Sequence, residues 1–245
     1  MSAEAYFEMI HKLNEQIRST QMNAICKTAK RIADSIKQGG VLHIFGSGHS
    51  HMIGEDVFYR AGGLACINAM LEPSLMELNI GRATLLERMH GYGQVLLSGY
   101  KLEADEVLIV ISNSGINPVP IEIALEGKRK GLHVVAITSE THSKQTPSRH
   151  EEGLKLTDIA DIVIDNCGQL GDAMLKEERF GTFYGPTSTQ AGILIMQMII
   201  AEVVTICAES GFRPPLFVSA NREKGHERNQ QLVEAYQSRV RYFPK

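Results

Sequence analysis

Apolar positions near the start of the chain recur at helical spacing: Tyr6, Ile10, Leu13 and Ile17, then Met22, Ile25, Ala29, Ile32 and Ile36, as far as Gly39-Gly40. That rhythm predicts one long kinked helix or two in succession over residues 1–38. Beyond it the period changes. Val41–Phe45, Leu64–Ala69, Leu108–Ile111, His133–Thr138 and Ile162–Ile164 are short, nearly unbroken aliphatic and β-branched runs. Runs of this kind mark strands buried on both faces. Helical patterns separate them, over roughly His51–Ala61, Ala83–His90 (with Gln94–Tyr100 extending it), Pro118–Lys130 and Thr187–Ser210. Proline in the first turn and Gly131 at the exit frame the third of these. Glu223–Arg239 reads as a last helix after the Pro214-Pro215 break. Glu140–Leu156 reads as a polar surface loop and Cys167–Pro186 as irregular. Five strands alternating with helices predict an α/β fold built on a doubly wound parallel sheet.

Composition narrows the function classes. With 245 residues, a net charge of −3 and 43% hydrophobic residues, the chain has the make-up of an ordinary globular protein. No basic stripe offers itself to nucleic acid or to an anionic membrane. Cys26, Cys66, Cys167 and Cys207 lie far apart, which suggests neither a zinc clip nor a disulfide framework. The greasy run from Ile193 to Ile206 is interrupted by Gln197 and Glu202 and is too short for a span. A cytoplasmic protein is expected, with no membrane and no nucleic-acid partner.

In parallel sheets of this kind ligands bind beyond the carboxyl ends of the strands. Gly46-Ser47-Gly48-His49-Ser50, Ser112-Asn113-Ser114-Gly115 and Thr138-Ser139 all fall on that edge. The first loop lacks the third glycine of a dinucleotide fingerprint, and no Gly-Lys-Ser/Thr of a P-loop is present. Hydroxyls recur instead, and with backbone N–H groups at helix starts they suit a phosphate. A small phosphorylated molecule fits three such loops better than a long dinucleotide, so no cofactor is expected.

Val41–Ser50 with its helix, Val107–Gly115 with Pro118, and Val134–Ser139 together resemble the sugar isomerase (SIS) domain, over about residues 38–210. Gly185-Pro186-Thr187-Ser188-Thr189 and Ser219-Ala220-Asn221 look like a poorly characterised branch near the phosphoheptose isomerases. The resemblance implies a three-layer α/β/α, flavodoxin-like sheet of five parallel strands with an added N-terminal helical segment. It also implies a homodimer whose phosphosugar sites lie near the subunit interface. Residues 1–38 would form the helical segment and a dimer contact, 39–212 the SIS domain and 213–245 a C-terminal extension, all within one structural domain. By resemblance Ser47, Ser50, Ser112, Ser114 and Ser139 hold phosphate, with Ser188 a further hydroxyl on that edge.

Aldose–ketose isomerisation through an enediol needs a base for a carbon-bound proton and an acid for the oxygen. Catalytic relatives carry a glutamate on the helix after the first loop, where this chain has Tyr59 or Arg60. Glu72, just past the second strand, and Glu55, one turn earlier on the helix, are the substitute acids. His226 is the candidate base, by resemblance to relatives that take a histidine from a C-terminal helix, and His90 is a weaker one. Arg60 would pair with a substrate oxygen or carboxylate. His49 and His51, with His142 or His150, have the chemistry of metal ligands, but a pair flanking a loop serine is more simply a hydrogen-bonding pair. The expectation is a phosphosugar isomerase, or a lyase or etherase that begins with the same proton abstraction. The alternative is a phosphosugar sensor without chemistry.

Overall fold

The computed structural model describes residues 2–245. It begins with α1 (Ser2–Lys37), a single unbroken helix. The change of rhythm after Ile17 does not end it, because Ile17 and Ile25 share one buried face while Met22, which suggested a second start, is 40% exposed. Then come β1 (Leu42–Gly46), α2 (His51–Val57), β2 (Ile67–Met70), α3 (Arg82–Glu87), α4 (Tyr92–Ser98), β3 (Val107–Ile111) and α5 (Pro118–Arg129). β4 (His133–Thr138), α6 (Glu140–Gln145), α7 (Leu156–Ile159) and β5 (Ile162–Asp165) complete the sheet. A hairpin of β6 (Ala173–Glu177) and β7 (Thr182–Pro186) leads into α8 (Ser188–Glu209), and α9 (Gly225–Tyr236) follows.

The five strands are parallel in the order β2-β1-β3-β4-β5, with Leu42 opposite both Ile67 and Val107. This is the flavodoxin-like order, which reverses direction between β1 and β3. Leu42, Ile44, Ile67, Ile109 and Val135 pack against α1, α2 and α8 on one face. Phe45, Met70, Leu108, Val110 and Val134 pack against α4 and α5 on the other. Both faces being covered explains strands without polar alternation. α8 has a window of mean hydropathy 2.1, and by length and composition alone it is apolar enough to cross a membrane. Here it lies against α1, with Ile195, Ile199 and Val203 in the core.

One buried polar row interrupts the sheet. Asn68 Nδ2 lies 3.2 Å from His43 Nδ1, and His43 Nε2 lies 2.9 Å from Glu106 Oε2. Burial alone would raise the Glu106 carboxyl, but His43 and the N–H groups of Glu103 and Val41 outweigh it and hold it below the usual carboxylate range. Arg239 Nη2 donates to Glu106 Oε1 at 2.5 Å, which fastens the C-terminal segment to the sheet.

The elements depart from the sequence expectation at several places. α2 stops at Val57 rather than Ala61, because Phe58 leaves the helix at ψ 134 and Tyr59, at φ +44, then turns the chain. Leu64 lies outside β2 and instead bridges antiparallel to Leu216. Glu140–Leu156, expected as loop, carries α6 and the start of α7. Cys167–Pro186, expected as irregular, contains the β6–β7 hairpin, in which β6 is half-buried and β7 largely exposed, so neither strand shows the buried aliphatic run of the sheet strands.

Candidate functional site

β1 ends at Gly46, where a Cβ would lie 2.5 Å from Ser50 O, so the turn that follows requires glycine. Ser50 N bonds Ser47 O at 3.0 Å and closes that turn. β3 ends in Ser112–Gly115, folded back on itself: Gly115 N donates to Ser112 Oγ at 3.2 Å, with Gly115 at φ +62. Both loops stand at the point where the sheet order reverses, the usual ligand position in such sheets. Among the described residues, no protein acceptor faces the N–H groups of Asn113, Ser114 and Ile116, or the hydroxyls of Ser50 and Ser114. α5 adds little of its own to an anion, since Pro118 and Pro120 remove two of its first N–H groups.

The third loop braces the second. Ser139 N donates to Asn113 O at 2.9 Å, Thr138 Oγ1 to the same oxygen at 3.3 Å, and Asn166 Nδ2 to Asn113 Oδ1 at 2.8 Å. Ser139 Oγ caps α6 through His142 N and donates to Gly168 O at 2.6 Å. Ser188 Oγ donates to Asp172 Oδ2 at 2.8 Å, and Asp172 also accepts the first N–H groups of α8. These hydroxyls hold protein groups.

A carboxylate absent from the sequence expectations closes the site. Glu87, the last residue of α3, accepts from Ser47 Oγ at 2.7 Å and from Asn117 Nδ2 at 2.8 Å. Asn117 Oδ1 in turn accepts from Arg149 Nη1 at 2.8 Å. Burial raises the Glu87 carboxyl above the usual range, against the pull of those two bonds and of Arg88 and Arg149. Beside Ser139, burial and Arg149 lower His142, opposed by Asp172, and its buried Nδ1 has no partner. Glu87 stands 40 residues after Ser47, so no local spacing marks it. The one sequence cue is an acid at the end of a helix that returns toward the strand ends.

The acids and bases chosen from sequence are scattered. Glu72 Oε1 accepts from Tyr100 Oη at 2.6 Å and from Arg241 Nη1 at 2.9 Å. Glu55 is exposed, 3.7 Å from His51 Nε2. His226 is exposed on a cavity of about 400 Å³ walled by Phe58, Tyr59, Val233 and Tyr242, which Glu72 does not line. Arg60 lies beyond the far end of α2 and pairs with Asp56 at 2.5 Å. His90 sits 3.7 Å from Glu151. His49 lies 3.5 Å from Glu77, and His51 Nδ1 bonds Gly48 O. Among the described residues, no three His, Cys, Asp or Glu side chains group at metal-ligand range.

The family model of the SIS domain matches residues 5–139. A UPF0309 protein of Caldanaerobacter subterraneus is 43% identical, over 98% of this chain and 99% of its own. Among solved structures, the phosphoheptose isomerase of Neisseria gonorrhoeae superposes with a TM-score of 0.57 at 14% identity, covering 83% of this chain and 97% of that one. The NanR protein of Vibrio vulnificus, solved in complex with ManNAc-6P, gives 0.53 at 11% identity, covering 97% of this chain and 69% of that one. At these identities the superpositions speak for the fold.

Proposed function

Because the chain belongs to the SIS domain family, we propose that it binds a phosphorylated sugar between the loops after β1 and β3. One observation carries the reading. Ser114 and its neighbours present a hydroxyl and N–H groups without protein acceptors at the point where the sheet order reverses. An anion with three or four oxygens satisfies such a set, and a net charge of −3 leaves local donors to hold it. Ser50 adds a hydroxyl from the facing loop. Phosphoheptose isomerases share the fold, which supports chemistry of the same kind: an enediol-forming isomerase, or a lyase or etherase beginning with the same proton loss.

A second reading, a phosphosugar sensor without chemistry, draws support from two facts. Glu72 and His226 do not share a site, and the Vibrio vulnificus NanR protein, which shares the fold, was solved in complex with ManNAc-6P. On the same reading, residues 1–38, 39–212 and 213–245 form one structural domain, in a cytoplasmic homodimer with its sites near the interface. Only 44% of the apolar window of α8 is buried, and Phe7, Phe180 and Phe183 are exposed at the neighbouring hairpin and helix start. A second copy would cover such surface.

The deciding experiment is proton NMR in deuterium oxide with a panel of sugar phosphates of five to seven carbons, including N-acetylated hexosamine phosphates. Loss of the proton next to the carbonyl of one member establishes the enzyme. Saturation transfer without exchange establishes the sensor. Neither response, together with no binding of inorganic phosphate, sinks both.

A further inference from the structure

Resting on the phosphosugar reading above, we infer that Glu87 is the base that takes the carbon-bound proton, and that Ser47 and Asn117 position it rather than hold phosphate. A serine hydroxyl has one hydrogen to donate, and that of Ser47 lies on Glu87 Oε1 at 2.7 Å. A phosphate seated on Ser47 would have to displace this bond and stand beside a second anion. Asn117 fixes the other oxygen at 2.8 Å, so both oxygens are bonded and the carboxylate plane is set from two loops. Those are the two loops that offer the free donors. Asn117 is three residues beyond Ser114, at most about 10 Å of extended chain. A sugar whose phosphate lies on Ser114 therefore presents its carbonyl end within reach of Glu87.

The surroundings of Glu87 also suit a base. Its neighbours of opposite charge are Arg88 and Arg149, and Arg149 reaches it through Asn117 instead of pairing with it directly. Glu72, by contrast, is bonded to a guanidinium and a phenol, and Glu55 is open to solvent. A carboxylate lifted by burial and not neutralised by a direct cation takes a proton more readily than an exposed one.

The step balances within the substrate. The carbon–hydrogen bond breaks and its proton goes to Glu87. The electron pair left behind forms the carbon–carbon double bond of an enediolate, and the carbonyl π pair moves onto oxygen. Isomerisation ends when a proton passes from one enediolate oxygen to the other and Glu87 returns its own to the adjacent carbon. No oxidant or cofactor enters.

The test uses the full chain, its homodimer intact if one forms, and the sugar phosphate that exchanges in deuterium oxide. Glu87→Gln is expected to slow exchange at least about 100-fold, while saturation transfer to the same sugar phosphate persists. Should that variant fail to fold, Glu87→Asp keeps the charge but retracts it, and exchange is expected to fall with the acidic limb of the rate profile preserved. Ser47→Ala and Asn117→Ala each remove a bond to the ionised carboxylate, so the acidic limb moves to higher pH, which a purely structural role would not produce. Exchange by Glu87→Gln at the wild-type rate overturns the inference. So does a wild-type protein that binds a sugar phosphate and exchanges nothing, although the binding reading then survives. If wild type binds neither sugar phosphate nor inorganic phosphate, the underlying reading falls and the inference falls with it.

Discussion

Hydroxyl hydrogens are few, and their direction sorts the residues of this site. Ser47 points to Glu87, Ser139 to Gly168 O and Ser188 to Asp172. Ser114 keeps its own. Ser114→Ala is therefore expected to weaken sugar phosphate or inorganic phosphate by about 1–3 kcal/mol, read by titration calorimetry, while leaving the melting temperature nearly unchanged. Glu87 makes a different prediction. Burial raises its carboxyl in the folded state, so folding favours the protonated form. Its contribution to stability is fully present below the ordinary carboxylate range and is lost as pH rises through the folded-state value. Glu87→Gln removes that loss, and Ser47 can turn its hydroxyl to accept from the new amide. Melts over about pH 4 to 8 should show the variant the more stable at neutral pH, with the gap closing toward acid. A gap that widened toward acid would contradict the assignment.

Helix packing keeps the first loop in place. α2 follows that loop directly and lies against α8 at Gly192, where an added Cβ would meet Ile53 Cδ1 at 2.3 Å. The end of an isoleucine can shift, but Ile53 is 2% exposed and tightly surrounded. Gly192→Ala should cost about 1–3 kcal/mol in a denaturant titration, with little loss of helical signal. The rhythm of Ile17, Ile25, Ile32 and Ile36 was enough to read α1, since one buried stripe is a local property of the sequence. β6 and β7 were not readable, because β7 is largely exposed, β6 is only half-buried with Met174 against the core, and neither carries an apolar alternation.

Over the whole molecule, the C-terminal segment returns across the sheet and fastens to groups far away in sequence. Arg239 reaches Glu106, and Arg241 reaches Glu72 169 residues upstream. Glu106 is 3% exposed at its side chain, so removing its guanidinium leaves a nearly buried charge with only His43 and backbone donors. Arg239→Ala should destabilise by about 3–5 kcal/mol, measured by urea unfolding. A loss below about 1 kcal/mol would mean that the extension is not fastened there. Glu72, read from sequence as a catalytic acid because it follows β2, has the bonding of a fastening for this segment.

The sequence by itself determined the parallel sheet, the placement of three polar loops at its carboxyl edge and the kinship those loops display. Each is written in short-range patterns: apolar runs, a glycine where a turn admits no side chain, a proline at a helix start. Only the tertiary structure decided which side chains meet. Glu87 comes to Ser47 across 40 residues, Arg149 to Asn117 across 32, and Arg241 draws Glu72 toward the C-terminal segment. Such pairings follow from how whole helices pack on the sheet. No period or spacing along the chain encodes them, so the polar loops at the sheet edge were legible and the carboxylate beside them was not.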